Sequence, residues 1–276
     1  MLPNLVIIGA MKAGTSSLHH YLGLHPEISM SWPKELDFFL DRNWRRGTSW
    51  YESQFRDATP VRGEASPNYT KATEHESVPE RMHSVIPEAK LVYLVRDPVE
   101  RIVSHYLHYY ASGAESRSLS EALGTLEGNP YVDASRYHMQ LQAYLPYFDL
   151  GDILIETAED LRLKRREVLR RTFAFLAVDP DFTSGGFEQE LHDSSVKGRK
   201  SRFGIIVTRS RLSRKVKPYV PWTLIHLVQA YTRRTARPID PPALTEGEAE
   251  RLADYLHEDV QQLRSLTGRR FEGWSV

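Results

Sequence analysis

The chain has 276 residues, with 36 Lys+Arg against 36 Asp+Glu, so its formal net charge is zero; that disfavours bulk polyanion binding and leaves a local basic patch open. Hydrophobic residues at 41% and charged residues at 26% are ordinary for a globular protein and suffice for a packed core. There is no cysteine, which excludes a disulfide framework, a thiolate metal site and a cysteine nucleophile.

The segment Met1–Gly9 has no basic stretch ahead of its short apolar run, so it is not expected to be a signal peptide. No stretch approaches the roughly 18 apolar residues of a membrane helix, and the expected compartment is the cytoplasm. Leu5–Ile8 is a continuous apolar run ending in glycine, as in a strand buried on both faces. Gly9, Lys12, Gly14, Thr15 and Ser16 follow, and the residues from Leu18 to Leu22 then read as helix. Strand, glycine loop and helix open a mononucleotide-binding α/β unit. Gly9 and Gly14 have the spacing of the phosphate-binding loop of nucleoside triphosphatases. Thr15 stands where that loop has its lysine, and Lys12 lies mid-loop instead. Glycines let backbone N–H groups approach phosphate oxygens, and the helix start adds partial positive charge.

Leu91–Val95 is a second buried strand, ended by Arg96, Asp97 and Pro98. Asp97 suits an N-cap and Pro98 a first helical position, so a helix is expected to about Tyr110. Arg101 and Ser104, three residues apart, share a face of it. Ile153–Ile155 is a third strand, followed by a helix-prone stretch over Thr157–Ala177. From Ser194 to Ile239 there is no acid, and twelve of the 36 cations lie there. The part from Ile205 to Tyr231 mixes cations with apolar residues and reads as a lid, an acceptor wall, a membrane-surface segment or a solvated basic face. Thr245–Leu266 has helical apolar spacing, with Gly268 as its stop.

The Lys12–Ser17 stretch, the pattern Arg96, Pro98, Arg101, Ser104, Tyr106 after a strand, and the later Lys197, Gly198, Arg199 together resemble the sulfotransferase family that uses 3′-phosphoadenosine 5′-phosphosulfate (PAPS). The carbohydrate and heparan-type branch and its bacterial relatives are the most similar. The resemblance implies an α/β fold: a central parallel sheet flanked by helices, P-loop-like, in a single domain over 1–276. The nucleotide core is about 4–200, and a basic, helix-rich part runs from 201. It further implies that Lys12, Ala13, Gly14, Thr15 and Ser16 hold the 5′-phosphosulfate. Arg96 and Ser104 take the 3′-phosphate, with Arg101 either joining them or serving the structure. Lys197, Gly198 and Arg199 close over the nucleotide. Two segments, Pro33–Phe39 and Gly63–Tyr69, look like those that carry the catalytic groups, which implies Glu64 as general base and Lys34 as a cationic helper beside Lys12. A Glu64 near two lysines is expected to be firmly ionised. The disulfide-closed loop usual in the heparan branch is absent with the cysteines. The resemblance implies PAPS as co-substrate, no metal, no nucleic-acid partner, and a hydroxyl acceptor on a small molecule or glycan.

Histidine is the base in another branch of that family, so His19, His20, His25 and His105 compete with Glu64, although none fits that branch's pattern. Two other classes of function stay open. Val95 with Asp97 loosely imitates the strand-and-acid segment that holds Mg²⁺ in a P-loop kinase; the alternative is a nucleotide-binding protein without catalysis.

Overall fold

The structure is a computed structural model that describes residues 1–55, 58–189, 198–199, 237–239 and 242–276. Its centre is a five-stranded, all-parallel sheet of β1 (Leu5–Gly9), β2 (Ile28–Met30), β3 (Val61–Ala65), β4 (Lys90–Val95) and β5 (Ile153–Thr157), in the order β2-β3-β1-β4-β5. The helices are α1 (Thr15–Leu22), α2 (Asp41–Trp44), α3 (Thr48–Glu52), α4 (Val78–Val85), α5 (Pro98–Ser112), α6 (Leu119–Ala122), α7 (Pro130–Asp133), α8 (Tyr137–Gln142), α9 (Ala158–Leu163), α10 (Arg165–Phe175) and α11 (Glu246–Thr267). No helix of the described residues is long and apolar enough to cross a membrane.

Every residue of β1 is buried, and so is β4 beyond Lys90. Their unbroken apolar runs suit strands with packing on both faces. The chain places β3 on one side of β1 and β4 on the other. The order therefore reverses at β1, and ligands collect outside the strand ends at such a switch point. Gly9 closes β1 for a steric reason. A Cβ there would lie 2.0 Å from Thr70 Oγ1 and 2.9 Å from Tyr93 Cε2, so no larger residue fits unless those groups move.

Asp97 caps α5 as its position predicts, accepting from the Glu100 N–H at 2.8 Å, and Gly113 stops the helix at φ 75°. The helix runs two residues beyond the expected end. The stretch expected as one helix over Thr157–Ala177 is two: Lys164, at φ −129° and ψ 41°, breaks it between α9 and α10. At the C-terminal end the prediction holds closely: Thr245 and Glu248 form a reciprocal capping box on α11, and Gly268 ends it in the left-handed region. α11 packs its Leu252 and Leu256 with Val99, Ile102 and Tyr106 of α5 in a second apolar cluster beside the main core. Residues 205–231, the basic stretch, lie outside the described residues.

Candidate functional site

The loop after β1 is built by its backbone. The Ala10 N–H donates to the Leu94 carbonyl at 2.6 Å, fastening the loop to β4, and the Ala13 N–H returns to the Ala10 carbonyl at 3.1 Å. Lys12 and Gly14 both take positive φ, 76° and 97°. Gly14 then accepts from the N–H groups of Ser17 and Leu18 and starts α1. The first N–H groups of any helix have no partner within it and suit an anion. Nothing occupies the cap position as a side chain, so that end is left to solvent or ligand.

Lys34 ties a second segment to this loop. Its Nζ donates to Thr15 Oγ1 at 3.2 Å and to Ser16 Oγ at 3.1 Å, and pairs with Glu35 at 3.1 Å. The backbone under it is pinned. The Ser31 N–H donates to the Gly63 carbonyl at 2.8 Å, the Ala65 N–H to the Lys34 carbonyl at 3.2 Å, and Ser31 Oγ to the carbonyls of Pro33 and Lys34. His19 Nε2 donates to the Ser31 carbonyl at 3.2 Å. Burial and the neighbouring Lys34 lower its pKa to about 4, so it is neutral near pH 7.

At the end of β4, Arg96 reaches Glu100 Oε2 through Nε at 3.1 Å and Nη2 at 2.5 Å, with its side chain 26% exposed. Ser104 lies two turns along α5. A single cleft of about 730 Å³ runs between these parts. It is lined by Met11–Ser17 of the loop, Lys34 and Glu35, Arg96, Glu100, Ser104 and His108, and by Glu159, Arg162 and Arg165. The structure therefore brings together Lys12, Ala13, Gly14, Thr15, Ser16, Lys34, Arg96 and Ser104. Lys197 lies outside the described residues. Gly198 and Arg199 form a two-residue strand paired with Arg237–Pro238, and its backbone runs beside α5. Glu35 and His108 were missed in the sequence. The one signal for Glu35 was its adjacency to Lys34.

Glu64 is placed otherwise. It lies on β3 at 0% exposure and is not among the residues lining the cleft. Tyr51 and Tyr69 donate to its Oε1 at 2.7 and 2.9 Å, and Ser66 to Oε2 at 2.5 Å. Burial raises its pKa from 4.5 to about 7, against the pull of those three donors. The expectation of a firmly ionised carboxylate assumes two lysines beside Glu64; three hydroxyl donors surround it instead, and desolvation outweighs them. The histidine competitors also lie off the cleft lining. His25 is clamped between the Asp179 carbonyl and the Glu27 N–H, and His105 is 1% exposed against Arg101. None of His19, His20, His25 and His105 lines the cleft.

Arg101 is fully buried and away from the cleft surface, which favours the structural half of its two expected roles. Asp97 has both oxygens engaged, Oδ1 by the Glu100 N–H and Oδ2 by the Ser275 N–H at 2.5 Å. It serves as a cap and does not line the cleft.

A family model described as "Sulfotransferase domain" matches residues 2–203. The human bifunctional heparan sulfate N-deacetylase/N-sulfotransferase 2 is 30% identical over 202 residues, covering 65% of this chain and 22% of that protein. The bifunctional heparan sulfate N-deacetylase/N-sulfotransferase 1 of Caenorhabditis elegans is 29% identical over 212 residues, 71% of this chain and 24% of that one. The chain thus spans about a quarter or less of the length of these relatives. Among solved structures, a sulfotransferase from Alicyclobacillus acidocaldarius superposes with a TM-score of 0.71 over 100% of both chains at 23% identity. By the match over most of its length, the chain belongs to the sulfotransferase domain family.

Proposed function

We propose that this chain transfers the sulfuryl group of PAPS to an acceptor held at the mouth of the cleft, and that Glu35 is the general base. The observation that carries the reading is the shared cleft: the Lys12 loop, the Lys34–Glu35 pair, Arg96 and Ser104 all line it. The described residues fit a doubly phosphorylated nucleotide. Positive-φ backbone at Lys12 and Gly14, two hydroxyls and two lysines suit a 5′-phosphosulfate. A guanidinium and a hydroxyl at the other wall suit a 3′-phosphate. Gly198 and Arg199, whose backbone runs beside α5, are proposed to close over it.

The chain's own groups then have separate tasks. Glu35, with a side chain 44% exposed in the cleft, takes the acceptor proton as the acceptor–sulfur bond forms. The sulfur–oxygen bond to the 5′-phosphate breaks in the same displacement. Lys12, Lys34 and the loop N–H groups offset the charge that develops on the departing phosphate oxygen. No metal enters this balance. Glu64 is left with a structural task, since three donors enclose it beneath the strand end.

The acceptor we propose is a carbohydrate or glycoside hydroxyl. Trp32, 77% exposed and two residues before Lys34 in the chain, offers an open ring face suited to a sugar or other flat apolar surface. A second reading, transfer to a sugar amine, is supported by the likeness to proteins named N-sulfotransferases. Transfer of labelled sulfate from PAPS to a glycan panel tests both. Label on N-acetylated acceptors supports the hydroxyl reading, and label confined to free amines supports the other. No transfer to any acceptor together with no binding of adenosine 3′,5′-bisphosphate removes the proposal.

A further inference from the structure

Arg101 is a cation without a visible counter-charge. It is 0% exposed, and its Nε and Nη2 donate to Ser135 Oγ and the Tyr131 carbonyl. Nη1 reaches the Met11 carbonyl and His105 Nδ1, each at 3.3 Å. All four partners are uncharged, because His105 is held neutral by burial and by Arg101 itself. Among the described residues no carboxylate forms an ion pair with it, whereas Arg171 and Arg269 share the buried Glu156. Buried charges are ordinarily paired, since leaving one uncompensated is strongly unfavourable. Arg96, a like charge, acts on Arg101, and Lys12, Lys71 and His108 act on His105; the acids Asp97, Glu159 and Asp259 are felt by the neighbouring Tyr137 and Tyr93, and none of them pairs with Arg101 among the described residues.

The position of this cation has a consequence for the loop. Met11 immediately precedes Lys12, the residue at φ 76°, so the guanidinium holds the peptide that leads into the left-handed turn. Ser135 in turn donates to the Pro98 carbonyl at 3.0 Å, at the start of the helix that bears Ser104. One side chain thus joins the phosphate loop to the first turn of α5, and both supply residues to the cleft.

We propose that Arg101 is a positioning residue whose missing counter-charge is the bound nucleotide anion itself. It fixes the Met11–Lys12 peptide and places a permanent positive charge under the phosphate sites, which a dianion in the cleft neutralises. The proposal rests on the PAPS reading above. It predicts that the free protein is less stable than its neutral counterpart at this position and that nucleotide recovers the difference.

The test pairs thermal unfolding with calorimetry, using adenosine 3′,5′-bisphosphate on wild type, Arg101→Met, Arg101→Lys and Ser135→Ala. The Met variant should unfold, without nucleotide, above the wild-type temperature, because it no longer buries an uncompensated charge. It should bind the nucleotide about tenfold or more weakly and lose most of the nucleotide-induced shift. The Lys variant keeps the charge but has three donors for four acceptors, and should fall between. Ser135→Ala leaves the charge in place, so its free form should melt lower while nucleotide affinity stays within about threefold. Wild-type nucleotide affinity in Arg101→Met, at any melting temperature, overturns the proposal. Should the Met variant not fold, unaltered affinity in Arg101→Lys overturns it equally. Wild type that binds no nucleotide sinks the PAPS reading instead, before any variant is compared.

Discussion

Glu35 and Glu64 differ in their access to solvent. Glu35 stands in the cleft beside Lys34; Glu64 is sealed by Tyr51, Ser66 and Tyr69. Glu35→Gln should lower turnover about 10²- to 10⁴-fold, the usual worth of a positioned base, with nucleotide affinity within about twofold by calorimetry. Glu64→Gln should leave turnover far closer to wild type, and equal losses in the two variants would contradict the assignment. Glu64 carries a pH signature as well. Its folded pKa, about 7, lies above its unfolded 4.5, so between those values the folded state holds the extra proton. Stability therefore falls as pH rises through that window, by up to about 3 kcal/mol. Urea unfolding at pH 5 and pH 8 should show this fall in wild type and a smaller one in Glu64→Gln; an unchanged slope would remove the buried carboxyl as its source.

At the scale of elements, the phosphate loop and the turn before Lys34 make separate predictions. A Cβ on Gly14 would meet only Leu94 Cδ2 at 3.5 Å and Leu161 Cδ2 at 3.9 Å, so space is available and the φ of 97° is the obstacle. Gly14→Ala should cost about 1–2 kcal/mol of stability from left-handed backbone strain and weaken nucleotide binding. Full affinity with normal stability would show that this conformation is not needed. Trp32→Ala should raise the acceptor KM about tenfold, with the KM for PAPS unchanged, as expected for loss of one aromatic contact. An unchanged acceptor KM would place the acceptor elsewhere.

The elements also show which parts of the chain were readable before the fold was known. β1, β4 and β5 were visible because unbroken apolar runs mark strands covered on both faces. β3 was not, because Val61–Ala65 carries Arg62, Gly63 and Glu64. Its buried carboxyl is tolerated only through Tyr51, Ser66 and Tyr69, which periodicity cannot reveal as partners. The same blindness is why the sequence points to Glu64 as base where we propose Glu35: a sequence shows carboxylates, not which of them keeps access to water. The break at Lys164 escaped for a related reason, since nothing in Leu161–Val168 lacks helix propensity.

For the whole molecule, the two nucleotide motifs were legible because each follows a strand that ends at the same edge of the sheet. The parallel order β3-β1-β4 turns a separation of over eighty residues into opposite walls of one cleft. Sulfuryl transfer by side chains alone should proceed undiminished in excess chelator, and a rate restored only by Mg²⁺ would instead favour the kinase class. The most direct measurement of the central claim is calorimetry of adenosine 3′,5′-bisphosphate with wild type, Lys12→Ala, Arg96→Ala and the double variant. One site per chain is expected, each single change weakening it about 10- to 100-fold as for lost charge-assisted contacts, with losses that roughly add. No binding by wild type, or affinity untouched by Arg96→Ala, would contradict a single nucleotide spanning both walls.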